Sequence, residues 1–114
     1  MIEFTPGTLD ENGVFTYTAS GENANAVCKA KLEGAKVTLL SITGADDDSF
    51  VTEGLVRSAL NYGANRNAYT AYAAPECFDK RVIAVLQTLG FENEKEMLVC
   101  DIPDALTGGC RRCK

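Results

Sequence analysis

Cys110-Arg111-Arg112-Cys113 is the spacing in this chain with the most direct chemical meaning. Two thiols three residues apart can hold a metal or exchange a disulfide, and the arginines between them favour the thiolate. A zinc knuckle needs two further ligands, for which Cys28, Cys77 and Cys100 are the thiols left. Three readings therefore stand for the tail: a zinc site, a reversible dithiol, or an inert frayed end, the last being the one adopted. The sequence holds no histidine, so the commonest general base and metal ligand is missing, and no metal is expected. Asp46-Asp47-Asp48 could attract a cation, but three carboxylates ahead of an apolar periodic run read better as a helix N-cap and solvated loop. Cys28 and Cys100 fall within strand-like runs and read as small buried hydrophobes. Tyr62, Tyr69 and Tyr72 read as packing or sheet-edge residues.

With 114 residues, 46% of them hydrophobic and 24% charged, the chain suits one globular domain with one core. The reading is a single domain over 1–106 with a cysteine-containing tail over 107–114. A net charge of −5 argues against nucleic acid or an anionic lipid surface as partner. No apolar run is long enough to span a bilayer, and the first residues carry no secretory pattern, so a cytoplasmic location is expected.

The elements that must position any site follow from periodicity. Short extended pieces at Ile2 to Phe4 and Val14 to Thr18 are separated by Pro6-Gly7 and Asn12-Gly13 turn chemistry. Ala26 to Leu32 and Lys36 to Ile42 add two more strands and complete an antiparallel meander. Val51, Leu55, Ala59 and Tyr62, widened by Val56 and Leu60, form the broad apolar stripe of a helix laid on a sheet, with Gly63 and Asn65 as terminators. Ala68 to Ala73 is the next strand. A strand, crossover helix and strand make a right-handed unit with a parallel step. A second helix runs from about Phe78 to Leu89 and ends at Gly90, and a last strand from Lys95 to Ile102 is halted by Pro103. The fold class is α+β: a mixed, mostly antiparallel sheet with two helices.

The strand Val37 to Ile42, the run Glu53-Gly54-Leu55-Val56-Arg57-Ser58-Ala59-Leu60, the strand Ala68 to Ala73 and the helix closing on Leu89-Gly90-Phe91 resemble the cofactor-binding half of the GNAT acetyltransferase superfamily, with a shortened N-terminal half. The resemblance implies acetyl-CoA or another acyl-CoA as substrate, an amine acceptor of unknown identity, and pyrophosphate held by backbone amides where the first of these helices starts. It places the cofactor contacts on Leu40, Ile42, Thr52, Glu53, Gly54, Leu55, Val56 and Arg57, with the splay beside the strand Val37 to Ile42 receiving the pantetheine arm. Gly54 either meets a phosphate or lets helix and sheet pack closely.

The sequence departs from the family's pattern at several positions. Val51 and Val56 stand where that pattern has a basic or amide residue and a second small residue. Asp79 and Leu86 stand where it often has an asparagine and the tyrosine that protonates the leaving thiolate. Leucine cannot transfer a proton, so the role is vacant unless Tyr69, Tyr72 or a thiol takes it; no catalytic residue is assigned. The helices that normally follow the first strand have little room between Phe4 and Val14. The rival reading is the same fold without chemistry, a binding or regulatory module that could pair as a homodimer across an exposed sheet edge.

Overall fold

A computed structural model of the chain describes residues 2–21, 25–44 and 48–106. The Cys110/Cys113 tail and the Asp46-Asp47 pair lie outside the described residues. Among the described residues, seven strands and three helices follow one another as β1 (Glu3–Pro6), β2 (Val14–Ser20), β3 (Asn25–Glu33), β4 (Lys36–Thr43), α1 (Ser49–Ala64), β5 (Thr70–Ala73), α2 (Lys80–Leu89), β6 (Glu92–Glu94), β7 (Met97–Asp101) and α3 (Ile102–Leu106), with a 3-10 turn, Pro75–Cys77, between β5 and α2. All strands join one sheet in the order β1-β2-β3-β4-β5-β7-β6, antiparallel throughout except where β4 meets β5.

The turn chemistry explains the meander. Asp10 Oδ1 accepts from the amides of Asn12 (2.8 Å) and Val14 (2.9 Å), and Gly13 takes φ +85°, so residues 7–13 close as a tight turn with no helix in it. The shortened N-terminal half is thus a structural fact. Asp48, the last of the three carboxylates, caps α1: its side chain accepts from the Val51 amide at 3.1 Å. Asp79 does the same for α2, accepting from the Val82 amide at 2.9 Å, which starts that helix at Lys80 rather than near Phe78. Gly90 ends α2 at φ 119°, the left-handed conformation a glycine adopts without Cβ strain.

The structure corrects the last part of the sequence reading. A hairpin, β6 and β7, replaces the single strand from Lys95, because Lys95 takes φ 61° and turns the chain. The strand does end ahead of Pro103, at Asp101, but a short helix follows that was not expected: Pro103 is the second residue of α3, where a missing N–H breaks no helical bond.

Both crossovers, β4-α1-β5 and β5-α2-β6, step across the sheet in the same direction, so right-handed connections place both helices on one face. Burial agrees. Phe15, Ala19, Cys28, Ala30, Val37, Leu39, Ala71, Ala73, Leu98 and Cys100 are buried beneath α1, α2 and α3, which contribute Val51, Leu55, Val56, Ala59, Leu60, Val82, Leu86, Leu89 and Ile102. Tyr62 anchors the α1 end of this core: Phe15 stacks on it at 4.2 Å and the Arg66 guanidinium lies 3.7 Å from its ring centre. Strand neighbours alternate, so Thr16, Thr18, Lys29, Lys31, Thr38, Tyr72 and Val99 lie on the opposite face, half-buried or exposed, with no helix over them among the described residues.

The edge strand β1 docks on α1 through Phe4, whose ring occupies the space a Cβ on Gly54 would need. Gly54→Ala should therefore lower stability by about 1 kcal/mol, the overpacking cost exceeding the helix-propensity gain. In a Phe4→Ala background the same change should stabilise by about 0.5–1 kcal/mol, since only the propensity gain remains. Urea denaturation of the four proteins measures both.

Candidate functional site

The parallel pairing of β4 with β5 stops early. Its register runs Lys36 to Thr70, Val37 to Ala71, Thr38 to Tyr72 and Leu39 to Ala73, yet β4 continues to Thr43. Two local features part the strands. Leu40 is an extra residue opposite β3, because Lys29 pairs with Ser41 while Ala30 pairs with Leu39; such a bulge bends and twists its strand. On the other side Pro75 cannot donate to a ladder and begins the 3-10 turn that carries the chain away. Leu40 to Thr43 thus keep a strand partner only on β3 beyond the bulge, and their other edge borders an open wedge.

The start of α1 lies at the same end of the sheet, since it follows β4 directly. Gly44, at φ +84°, redirects the chain there. In the first turn of α1 the Val51 amide is taken by Asp48 Oδ1 and the Thr52 amide by the Asp48 carbonyl, 3.1 Å each. The Ser49 and Phe50 amides precede any intrahelical acceptor, which makes them the donors available to an anion. Phe50 is 68% exposed beside them. Between the beginning of α1 and the outer side of α2 runs a cleft of about 290 Å³ lined by Ser49, Glu53, Arg81, Ala84, Val85 and Thr88.

The eight residues singled out from the sequence are distributed unevenly over this site. Leu40 and Ile42 lie along the wedge on β4, both half-buried. Glu53 lines the cleft, and its carboxylate accepts from Arg57 Nε at 2.9 Å. Thr52 is buried and its hydroxyl donates to the Asp48 carbonyl at 3.1 Å, fixing the cap. Gly54 sits in the second turn, its amide inside the helical ladder and its missing Cβ making room for Phe4. Leu55 and Val56 are fully buried in the core, so neither side chain borders the wedge or the cleft. The sequence did not single out Ser49 and Phe50, although three acids followed by Ser49 mark where the uncommitted amides of a helix must fall.

The candidates for a proton donor also separate. Leu86 is fully buried. Tyr69 is 61% exposed at the start of β5, the end away from the wedge. Tyr72 lies one residue before the β4–β5 register ends, with Lys36 Nζ 5.5 Å from its ring centre, and the exposed Cys77 follows just beyond β5. Among the described residues no three His, Cys, Asp or Glu side chains gather as a metal site requires, and no helix is long and apolar enough to cross a membrane.

The fold superposes on solved structures of proteins named as acetyltransferases. The ribosomal-protein-S18-alanine N-acetyltransferase from Escherichia coli superposes with a TM-score of 0.68 at 13% identity, over 82% of this chain and 72% of that one. YhhK from Escherichia coli, assigned as an N-acetyltransferase and solved with coenzyme A bound, gives 0.64 at 21% identity, over 82% and 75%. An acetyltransferase of Staphylococcus epidermidis gives 0.66 at 16%, over 78% and 68%. The chain has the GNAT fold. No protein-family model matches the sequence, and no curated protein matches it.

The thiols provide a check on this packing. Burial pushes the Cys28 thiol up to about 12 from 9.0, because a thiolate would lose its hydration there. The folded state thus holds the Cys28 proton more tightly than the unfolded one, a contribution present below pH 9.0 and lost as pH rises from 9.0 towards 12. With a maleimide at neutral pH, peptide mapping should find Cys77 modified at least about tenfold faster than Cys28 and Cys100, whose labelling should require unfolding.

Proposed function

We propose that this chain binds an acyl-CoA in the wedge between β4 and β5 and passes the acyl group to an amine. The observation that carries the reading is the free edge of β4 from Leu40 to Thr43, a row of backbone donors and acceptors beside a gap that β5 does not fill. An extended amide-bearing arm can add to such an edge as a further strand would, by main-chain hydrogen bonds. The same edge can donate an N–H to a thioester carbonyl, where negative charge develops as an amine attacks.

The anionic end of the substrate fits the start of α1. Ser49 and Phe50 offer amides at the positive end of a 16-residue helix, and the cleft beside them extends towards Arg81. Thr52 and Asp48 hold that turn in place, while the Glu53–Arg57 pair limits repulsion between Glu53 and a phosphate. Gly54, Leu55 and Val56 support it from the core side by setting the helix on the sheet. Rate enhancement would rest on positioning, since Leu86, which the resemblance aligns with the family's thiolate-protonating tyrosine, is buried and cannot donate a proton.

Leu86 also favours a second reading, in which an acyl-CoA is bound but no acyl group is transferred. The proteins of like fold supply precedent for each half: one is solved with coenzyme A, and another is named for acetylating a ribosomal protein.

Calorimetric titration with acetyl-CoA should give a dissociation constant at or below about 100 μM. Ser49→Pro should weaken binding roughly tenfold by deleting one charge-assisted donor, with the melting temperature retained because proline is well tolerated as a first helical residue. No heat at millimolar acetyl-CoA would sink both readings. Binding without thiol release across a panel of amines and amino-terminal peptides would leave the second.

A further inference from the structure

The helix-free face of the sheet carries its charge in two separated blocks. Directly opposed strand residues share a face, so the registers lay this face out in rows. One row reads Glu33 on β3, Lys36 on β4, Thr70 on β5 and Asp101 on β7. The next reads Lys31 on β3, Thr38 on β4, Tyr72 on β5, Val99 on β7 and Glu92 on β6. A third, interrupted by the wedge, has Lys29 with Ser41 on one side and Met97 with Glu94 on the other. Lysines stand on the β3/β4 side of every row and carboxylates on the β7/β6 side; the exception is Glu33 on β3, which Lys31 holds at 3.5 Å.

The spacing is symmetric about β5. Lys31 and Glu92 each stand two strands from it, as do Lys29 and Glu94, while Lys36 and Asp101 each stand one strand away. A half-turn about an axis lying in this face along β5 keeps each row at its height and exchanges its ends. We infer that the face is the self-complementary surface of a two-fold dimer, its occupant a second copy of this chain. Lys31, Lys29 and Lys36 then oppose the partner's Glu92, the partner's Glu94 and the partner's Asp101, with Tyr72 near the axis.

Charge decides for a copy of itself over other partners. A partner surface of one sign would match one block and be repelled by the other. Only an occupant with the same three-row pattern reversed matches both blocks. The surface between the blocks suits packing: Thr38, Tyr72, Met97 and Val99 are half-buried, and sheets stack face to face about 10 Å apart at an angle of about 30°. Local contacts keep two lysines lying on the face, Lys31 at 3.5 Å from Glu33 and Lys36 over the Tyr72 ring. Exposed ion pairs contribute little each, so the pattern sets register and partner choice while the dimer itself is weak.

Sedimentation equilibrium of the full chain should show a monomer–dimer equilibrium whose dissociation constant rises about tenfold between ~0.1 M and ~0.5 M salt. Lys29→Glu/Lys31→Glu and Glu92→Lys/Glu94→Lys should each be folded monomers by circular dichroism and sedimentation. Mixed in equal amounts they should form a heterodimer as tight as the wild-type dimer, because every opposed pair is again of opposite sign. A wild-type monomer at all loadings would overturn the inference. So would double variants that dimerise like the wild type, or two folded variants that stay monomeric when mixed. Acetyl-CoA binding is read separately, so the two proposals fail independently.

Discussion

Two parallel strands that cannot stay paired organise this molecule. A parallel pair usually lies deep in a sheet with continuous hydrogen bonding. Here β4 and β5 hold register for four pairs and then part, forced by an inserted residue at Leu40 and by a proline two residues past Ala73. Unpaired main chain costs free energy when it is shielded from water, so such an edge is kept where something else completes it. The helices follow from the same arrangement. Because α1 leaves the end of β4 and α2 leaves the end of β5, both helix starts fall beside the opening, and their uncommitted amides sit where the sheet's own donors are exposed.

Much of this was legible from residue order. The β-branched run at Lys36 to Ile42, the broad stripe from Val51 to Tyr62 and the strand closing at Ala73 specify a right-handed parallel step, because two strands joined by a long apolar helix have few other ways to bury it. The glycine after Leu89 marked a helix end correctly for the same elementary reason. The β6 strand was not legible: Glu92, Asn93 and Glu94 are all exposed at the sheet's margin, so no apolar alternation betrays them, and the turn at Lys95 uses a left-handed lysine instead of a glycine. Pro103 marked the end of the strand but hid α3, because proline stops a strand and is also welcome in the first turn of a helix.

The site was harder to read than the fold for a related reason. Motif matching weighs residue type, and Gly54 is the small residue in the matching run, yet in space it answers to Phe4 on the far edge strand. The groups that face the opening are main-chain amides at Ser49 and Phe50 and the β4 edge, and backbone groups leave no mark on residue identity. What the sequence does encode is their support: the Asp48 cap, the Thr52 hydroxyl behind it and the Arg57 that occupies Glu53. Leu86 is the opposite case, a side chain whose chemistry is legible at once and whose complete burial agrees with a role in packing.

The tight turn after β1 ties the opening to the face it opens on. With seven residues between β1 and β2 closed by Asp10, nothing from that connection can reach across the sheet, and the side of the wedge away from α1 is left unwalled within the described chain. A flat, charged face is a poor wall for a small amine, because nothing there excludes water from the attacking nitrogen. Seated on a second copy, the same face gains an opposing surface whose nearest strand to the opening is that of the other β5, on the two-fold axis. The opening of each copy would then lie within a strand or two of its symmetry mate, with access along the interface and from the helix side. A sheet with no helix over this face could in this way gain an enclosed site by symmetry, at no cost in chain length, and the row pattern of lysines and carboxylates would fix the register in which it does so.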